Sequence, residues 1–384
     1  MNFEFATTGR IIFGNGTSRQ AIEHVCSYGD SVFVLTGADP ARAAWLIREL
    51  HEKNLTVRTE AVPTEPDIHL ATRYIELARQ ESIDVVVALG GGSVIDTAKA
   101  VAALARNEGD ILDYLEVIGK GKLLGAKPLP VIAIPTTAGT GSEVTNNAVL
   151  ASPEHAVKVS LRHKWLSPVI AIVDPQLTLS MSPEVTTGCG LDAFTQLIEA
   201  YTTKYHNPLV DGLCREGISR AARSLRLAVL EGSNLSARED MCVASLFSGL
   251  ALANAKLGAV HGFAGPIGGL FPAPHGMTCA RLLPFVTAVN IRALQNRLPG
   301  SPALIRYRQI AAILTGRHDA DKNDLNDWFR EFYKDLPVRL LCDYGITEND
   351  IPIIVEKAEK SSSMKGNPVE LTRDEMTEIL LNAL

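Results

Sequence analysis

Hydrophobic and polar positions in the first half of the chain follow two rhythms. Continuous apolar runs at 31–36 (SVFVLT), 84–90 (DVVVALG), 129–135 (LPVIAIP) and 168–174 (PVIAIVD) predict strands buried on both faces. TVRTEAV, from Thr56, adds a fifth strand. Between them, 43–54, 67–80 and 94–104 space their apolar residues as helices do. Strands alternating with helices predict βαβ units in a parallel sheet, and the opening FATTGRIIFGNG predicts an edge hairpin. From about Leu177 helical spacing takes over, at 191–203, 209–229, 236–256, 279–295, 303–315, 324–335, 347–360 and 372–384. Two of these segments open on capping-box patterns, Ser236 with Glu239 and Thr372 with Glu375. The expected fold is an α/β domain with a parallel, Rossmann-like sheet over residues 1–178, followed by an all-α domain over residues 179–384.

The length of 384 residues agrees with two domains, since single cores rarely grow past roughly 250–300 residues. The net charge is −6, from 37 basic and 43 acidic residues, with no dense basic run. Neither nucleic acid nor an anionic membrane is an expected partner. The start MNFEFATTGRIIFGNG lacks a basic region followed by an apolar stretch, and no apolar run approaches the ~18–20 residues of a membrane span. Six cysteines stand apart without a C-x-x-C pair, which fits reduced thiols in the cytoplasm.

Two loops carry candidate chemistry in the first domain. ALGGGSVIDTAKA (88–100) sets Gly90, Gly91, Gly92 and Ser93 between a buried strand and a helix. Glycines allow close backbone approach, and free amides at a helix start favour an anion such as a pyrophosphate. The spacing is not G-x-G-x-x-G, and packing alone also explains glycines in a tight turn. PTTAGTGSEVTNNAV (135–149) then brings Thr136, Thr137, Thr140, Ser142 and Thr145 past the end of another buried strand. Hydroxyls there suit the sugar and phosphate of a nucleotide, and two such loops on one sheet edge favour a dinucleotide site.

The second domain offers acid, amide and imidazole. Asp192 and Gln196 stand four apart in LDAFTQLIEAYTTK, on one helical face. AVHGFAGPIGGLFPAPHGMTCA (259–280) holds His261 and His275, each followed by glycine. Together with Asp192 they would form a convergent oxygen and nitrogen ligand set, leaving room for a substrate oxygen. The plainer reading of each histidine is a hydrogen-bonded core residue.

GGGSVIDTAKA, IPTTAGTGSEVT, DAFTQLIEAY and HGFAGPIGGLFPAPHG, in that order, resemble the iron-containing (group III) alcohol dehydrogenases. The resemblance runs over nearly the whole chain, from IIFGNG to GNPVELTRDEMTEILLNA. It implies a nicotinamide cofactor in the first domain, a divalent metal (usually iron) in the second, interconversion of small alcohols with aldehydes or ketones, and a homodimer. Carried over, it implies that Gly91, Gly92 and Ser93 hold the pyrophosphate and that Asp96 lies beside the nicotinamide. It likewise implies that Thr136, Thr137 and Thr140 line the cofactor and that Lys158 bonds a ribose. Asp192, His261 and His275 match three of the four metal ligands, and Gln196 falls where the fourth, a histidine, is usual. Gly265 falls where many members carry a further histidine near the nicotinamide, so a proton would leave through water or a ribose hydroxyl.

The glutamine matters chemically. It binds a cation only through a neutral carbonyl oxygen, which manganese tolerates better than iron or zinc do. Two histidines and a carboxylate still make a workable divalent site, with Gln196 as weak ligand or as hydrogen-bond donor to one. The alternative is a vestigial, metal-free site in a reductase of activated carbonyls. A dehydroquinate-synthase-like lyase on the same architecture needs a denser set of charged pocket residues than this chain shows. The strand ending VLTGADPAR places Thr36 and Gly37 where NAD-preferring relatives tend to show an aspartate, with Arg42 as a 2′-phosphate candidate. This leans to NADP, within NAD(P). Phe194, Phe263, Leu270 and Phe271 are pocket candidates, with core packing the plainer role.

Overall fold

A computed structural model describes residues 2–155 and 157–384 of the chain. Two compact units emerge from its contacts: Thr7–Thr137 with Gly141–Leu179, and Ser180–Leu384 with Met1–Ala6 and Ala138–Thr140.

The first unit is built on eight strands: β1 (Arg10–Phe13), β2 (Ser31–Thr36), β3 (Thr56–Ala61), β4 (Val85–Gly90), β5 (Val131–Pro135), β6 (Asn147–Ser152), β7 (Val157–Arg162) and β8 (Ile170–Val173). Its helices are α1 (Ala21–Val25), α2 (Ala44–Glu52), α3 (Ile68–Gln80), α4 (Gly92–Ala105) and the single turn α5 (Ile111–Tyr114). Six strands form a parallel sheet in the order β1-β8-β5-β4-β2-β3. Successive side chains on a strand face opposite ways, and the core divides accordingly. Phe33, Leu35, Val86, Ala88, Val131 and Ala133 pack with residues of α3 and α4. Val32, Val34, Val85, Val87, Ile132 and Ile134 pack with residues of α1 and α2. A sheet covered on both faces needs apolar residues at every strand position, which is why these strands read as unbroken runs.

The opening hairpin is not formed. Only Arg10–Phe13 is a strand, and it adds parallel to β8 at the sheet edge, with Arg10 opposite Ile170. Its return path is therefore the whole first unit rather than a turn. The pairing of β6 with β7 is a genuine hairpin, antiparallel from Asn147–Arg162 to Ser152–Val157, absent from the expected elements although VKVSLR alternates apolar and polar residues.

The second unit is helical: α6 (Pro183–Thr202), α7 (Pro208–Leu230), α8 (Leu235–Asn254), α9 (Ala259–Leu270), α10 (His275–Arg297), α11 (Pro302–Thr315), α12 (Asp324–Phe332), α13 (Ile351–Glu359) and α14 (Arg373–Ala383). The capping box at Thr372 and Glu375 is present in both directions. The one expected at Ser236 is not: α8 starts a residue earlier, and Asn234 caps it by accepting from the Ala237 amide at 3.1 Å. Asparagine is at least as good a cap as serine, and it comes first. Helix α6 starts at Pro183, well before Leu191, because Ser182 caps it and proline suits its first turn. The glycine-rich stretch 259–270 is also a helix, despite Pro266 and four glycines.

Candidate metal centre and cofactor loops

Helix α6 presents Asp192, Gln196 and Glu199 over two turns, all buried. Helix α9 begins beside them because Glu199 receives its free amides. Its Oε1 accepts from Val260 N at 2.7 Å and its Oε2 from His261 N at 3.4 Å. Gly258, just before the helix, has to be glycine at this approach, since a Cβ there would sit 2.8 Å from Glu199 Oε1. The same carboxylate takes Nδ1 of His261 at 2.7 Å, so Nε2 of that ring is left to face the interior. Helix α10 starts at His275, and Gly276 lets it close on α6: a Cβ at 276 would lie 2.3 Å from the Gly188 carbonyl oxygen.

These three helices bring Asp192, His261 and His275 together, and a fourth residue with them. The ligand atoms of Asp192, His261, His275 and Cys279 all lie within 4.8 Å of one another. Asp192 Oδ1 stands 3.3 Å from His261 Nε2 and 3.7 Å from His275 Nε2. Neither approach is directed as a hydrogen bond, and Oδ1 is left without a partner. Gln196 donates weakly to Asp192 Oδ2, at 3.5 Å, while its own carbonyl oxygen is buried and unpartnered. Two orphaned oxygens in one buried spot cost several kcal/mol unless something positive completes them. The donor set of carboxylate, two imidazoles and thiol fits a divalent cation.

The charges lean the same way. Burial raises the pKa of Asp192, but the neighbouring His275 and His261 outweigh it and hold the carboxyl below its ordinary value. Burial works against charge on His261, yet Cys279, Asp192 and Glu199 lift it well above the usual imidazole range. His275, whose side chain keeps 33% of its exposure, is raised by Cys279 and Asp192 against the same opposition. The pocket thus favours positive charge beside Asp192.

Cys279 and Glu199 escaped the sequence reading. Cys279 lies one helical turn after His275, an i, i+4 pair that signals a shared face once α10 is known to start at His275. Phe194 and Phe263 are fully buried, Phe194 against Trp328 and Phe332, so core packing is their role. Leu270 and Phe271 are half-buried.

In the first unit, Gly90 and Pro135 are register partners, so the glycine and threonine loops leave adjacent strands at one sheet edge. Gly37 follows β2, the next strand. Gly91 is the N-cap of α4 with no side-chain cap, so the amides of Gly92 and Ser93 open the helix uncapped. A Cβ at Gly91 would lie 3.2 Å from Thr137 Oγ1, and one at Gly90 would meet Val94 at 2.4 Å. Gly90 therefore serves packing, while Gly91 keeps clear the space beside Thr137. Thr136 is buried beside the glycine loop, its amide bonded to the Gly90 carbonyl at 3.0 Å, whereas Thr140 is exposed.

Two of the loop hydroxyls have another task. The ammonium of Lys99, wholly buried in α4, donates to Thr145 Oγ1 at 2.8 Å, Asn147 O at 2.8 Å and Ser142 Oγ at 2.9 Å. Asp96 Oδ1 completes the shell at 3.2 Å and also accepts from Ser142, while Oδ2 takes the Val149 amide at 2.9 Å. Asp96 and Lys99 thus tie the threonine loop and the β6–β7 hairpin to α4. Lys158 is ion-paired with Glu65. Arg42 donates to the Leu177 carbonyl at 3.0 Å.

Comparisons with known proteins bear on both units. The model of the iron-containing alcohol dehydrogenase family matches residues 8–175, and that of the family's C-terminal part matches residues 186–384. Alcohol dehydrogenase 4 of Saccharomyces cerevisiae is 32% identical over 97% of this chain and 96% of its own. Long-chain-alcohol dehydrogenase 1 of Geobacillus thermodenitrificans is 41% identical over 73% of this chain and 69% of its own. Among solved structures, an alcohol dehydrogenase from a halo-thermophilic archaeon of a Red Sea brine pool covers 100% of this chain and 99% of its own, with a TM-score of 0.91 at 28% identity.

Proposed function

The chain belongs to the iron-containing alcohol dehydrogenase family and is an alcohol dehydrogenase; from that premise we propose the residues that carry the reaction. Residues 1–178 bind NAD(P) and residues 179–384 hold a divalent cation and a small alcohol, aldehyde or ketone. Asp192, His261 and His275 hold the cation, which is iron, zinc or manganese. The two unpartnered buried oxygens beside the paired imidazoles are the observation that carries this reading. When bound, the cation polarises the substrate oxygen and the nicotinamide takes or returns the hydride. Everything else falls to the chain itself.

Once the Nε2 proton is displaced by a cation, Glu199 keeps the remaining proton of His261 on Nδ1, so that Nε2 would present its lone pair to the ligand cluster. Gln196 steadies Asp192 through Oδ2. The uncapped amides of Gly92 and Ser93 receive the pyrophosphate, with Gly91 clearing the approach. Gly37, Thr136, Thr137 and Thr140 line the cofactor, and Lys158 reaches a ribose hydroxyl by sharing its Glu65 partner. Asp96, beside the nicotinamide, anchors the threonine loop through Ser142 and the hairpin through the Val149 amide. Gly265 has no side chain to accept a proton, so water or a ribose hydroxyl takes it. Arg42 is the candidate for a 2′-phosphate, which would have to displace its contact with Leu177.

We propose further a cytoplasmic homodimer. Six free cysteines suit a reducing compartment, and among the described residues no single helix is long and apolar enough to cross a membrane. The test is NADH or NADPH consumption with a short aldehyde, before and after chelation. Activity lost on chelation and restored by iron, zinc or manganese is expected. Activity indifferent to the chelator contradicts the cation.

A further inference from the structure

Cys279 is the one member of the ligand cluster that the resemblance does not call for. Its thiol is fully buried and lies 3.7 Å from His275 Nε2 and 3.8 Å from His261 Nε2. These distances can be set against those of a coordinated ion. Bonds of about 2.0–2.1 Å to nitrogen and oxygen and about 2.3 Å to sulfur give a tetrahedron with edges of about 3.3 Å between nitrogen and oxygen and about 3.5 Å between sulfur and nitrogen. The measured nitrogen–oxygen edges are 3.3 and 3.7 Å. Every measured edge is thus within about half an ångström of that figure, a gap that small side-chain rotations close.

A cysteine in a helical core is ordinarily a small apolar filler. That role would account for the burial of Cys279 but not for Asp192 Oδ1 and Gln196 Oε1, both buried and without a hydrogen-bond partner in the same spot. We propose that the cation is held by Asp192, His261, His275 and the thiolate of Cys279, the cysteine supplying the strong fourth ligand that Gln196 does not. The proposal rests on the cation site of the proposed function and deepens it. As the sulfur–metal bond forms, the thiol proton leaves to solvent. Carboxylate and thiolate together neutralise a divalent ion. A soft sulfur donor shifts preference toward zinc, or cobalt in its place, and away from manganese and magnesium. Four protein ligands give the substrate oxygen a fifth position rather than a fourth.

The test is anaerobic titration of the chelator-stripped full chain with cobalt(II), read by absorbance and requiring no turnover. The wild-type chain should show, in its first equivalent, both visible d–d bands and a near-ultraviolet thiolate-to-cobalt charge-transfer band. Cys279→Ser should lose the charge-transfer band and bind cobalt more weakly, by more than the roughly 10–100-fold that losing a hydrogen-bond partner of a ligand costs. Gln196→Leu should keep the band. Visible bands without charge transfer in the wild-type chain overturn the role of Cys279 and leave the cation site standing. No cobalt uptake at all overturns both. The wild-type spectrum decides even if a variant fails to fold.

Discussion

Replacing Glu199 by glutamine removes one charge and almost no volume, and the structure gives its consequences in detail. The carboxylate accepts from His261 Nδ1 at 2.7 Å and Val260 N at 2.7 Å, with His261 N at 3.4 Å, from a buried position. Glutamine has one acceptor oxygen for two well-formed bonds, so its amide NH2 must meet either the ring N–H or the helix amide, donor against donor. A hydrogen bond to a charged group contributes about 1.5–3 kcal/mol, and a buried donor left unpaired costs about 1–3 kcal/mol. The negative charge at the start of α9 adds about 0.3–1 kcal/mol. These terms overlap, and a loss of about 3–5 kcal/mol is expected for Glu199→Gln in the metal-free protein. If the ring escapes by moving its proton to Nε2, the lone pair facing the cluster disappears, and metal affinity should fall about 10–100-fold. Urea unfolding of the stripped protein measures the first effect, and competition of the loaded protein against a chelator measures the second. A variant that loses stability while binding metal as tightly as wild type would refute the claim that Glu199 orients His261.

Other substitutions probe the rest of the account. Lys99→Met should cost about 2–4 kcal/mol in urea unfolding, because the half-buried Asp96 would lose its cation and the hydroxyls of Ser142 and Thr145 their donor; a loss below about 1 kcal/mol, the scale of a surface substitution, would contradict the knot. Glu143 is buried and its pKa is raised by that burial from 4.5 to about 7. A carboxyl raised on folding contributes stability that is full below pH 4.5 and lost as the pH climbs through about 7. Glu143→Gln should therefore gain about 3 kcal/mol relative to wild type between pH 5 and pH 8, and parallel pH profiles would exclude it. Gly265→Ala meets nothing within 4 Å inside α9 and should raise thermal stability by up to about 1 kcal/mol; destabilisation would mean that the position is closed.

The parallel sheet was legible because β4, β5 and β8 are unbroken apolar or small-residue runs and β2 is apolar from Val32 to Leu35, a pattern that two covered faces produce. The β6–β7 hairpin escaped the reading although VKVSLR alternates apolar and polar residues and Ala148, Leu150, Val159 and Leu161 are buried in the core with α3 and α4; Lys99 and Asp96 add polar ties from α4 to its Asn147 carbonyl and Val149 amide. Asp192, His261 and His275 stood out through residue type and the glycines that follow the histidines. Glu199 did not, because 259–270 reads as a loop from its glycines and Pro266. Its helical state comes from tertiary context, with Glu199 receiving its first amides. With α9 unseen, the reach of α6 toward its start could not be inferred, and with helical spacing read only from 279, the shared face of His275 and Cys279 at the start of α10 was hidden.

Metal analysis of protein purified without chelator and without oxygen decides whether the cluster around Asp192 holds an ion. A near-stoichiometric divalent metal is expected, retained through gel filtration and lost from Asp192→Ala. Protein that carries no metal, that takes up none when iron, zinc or manganese is supplied, and that still reduces a short aldehyde would contradict it.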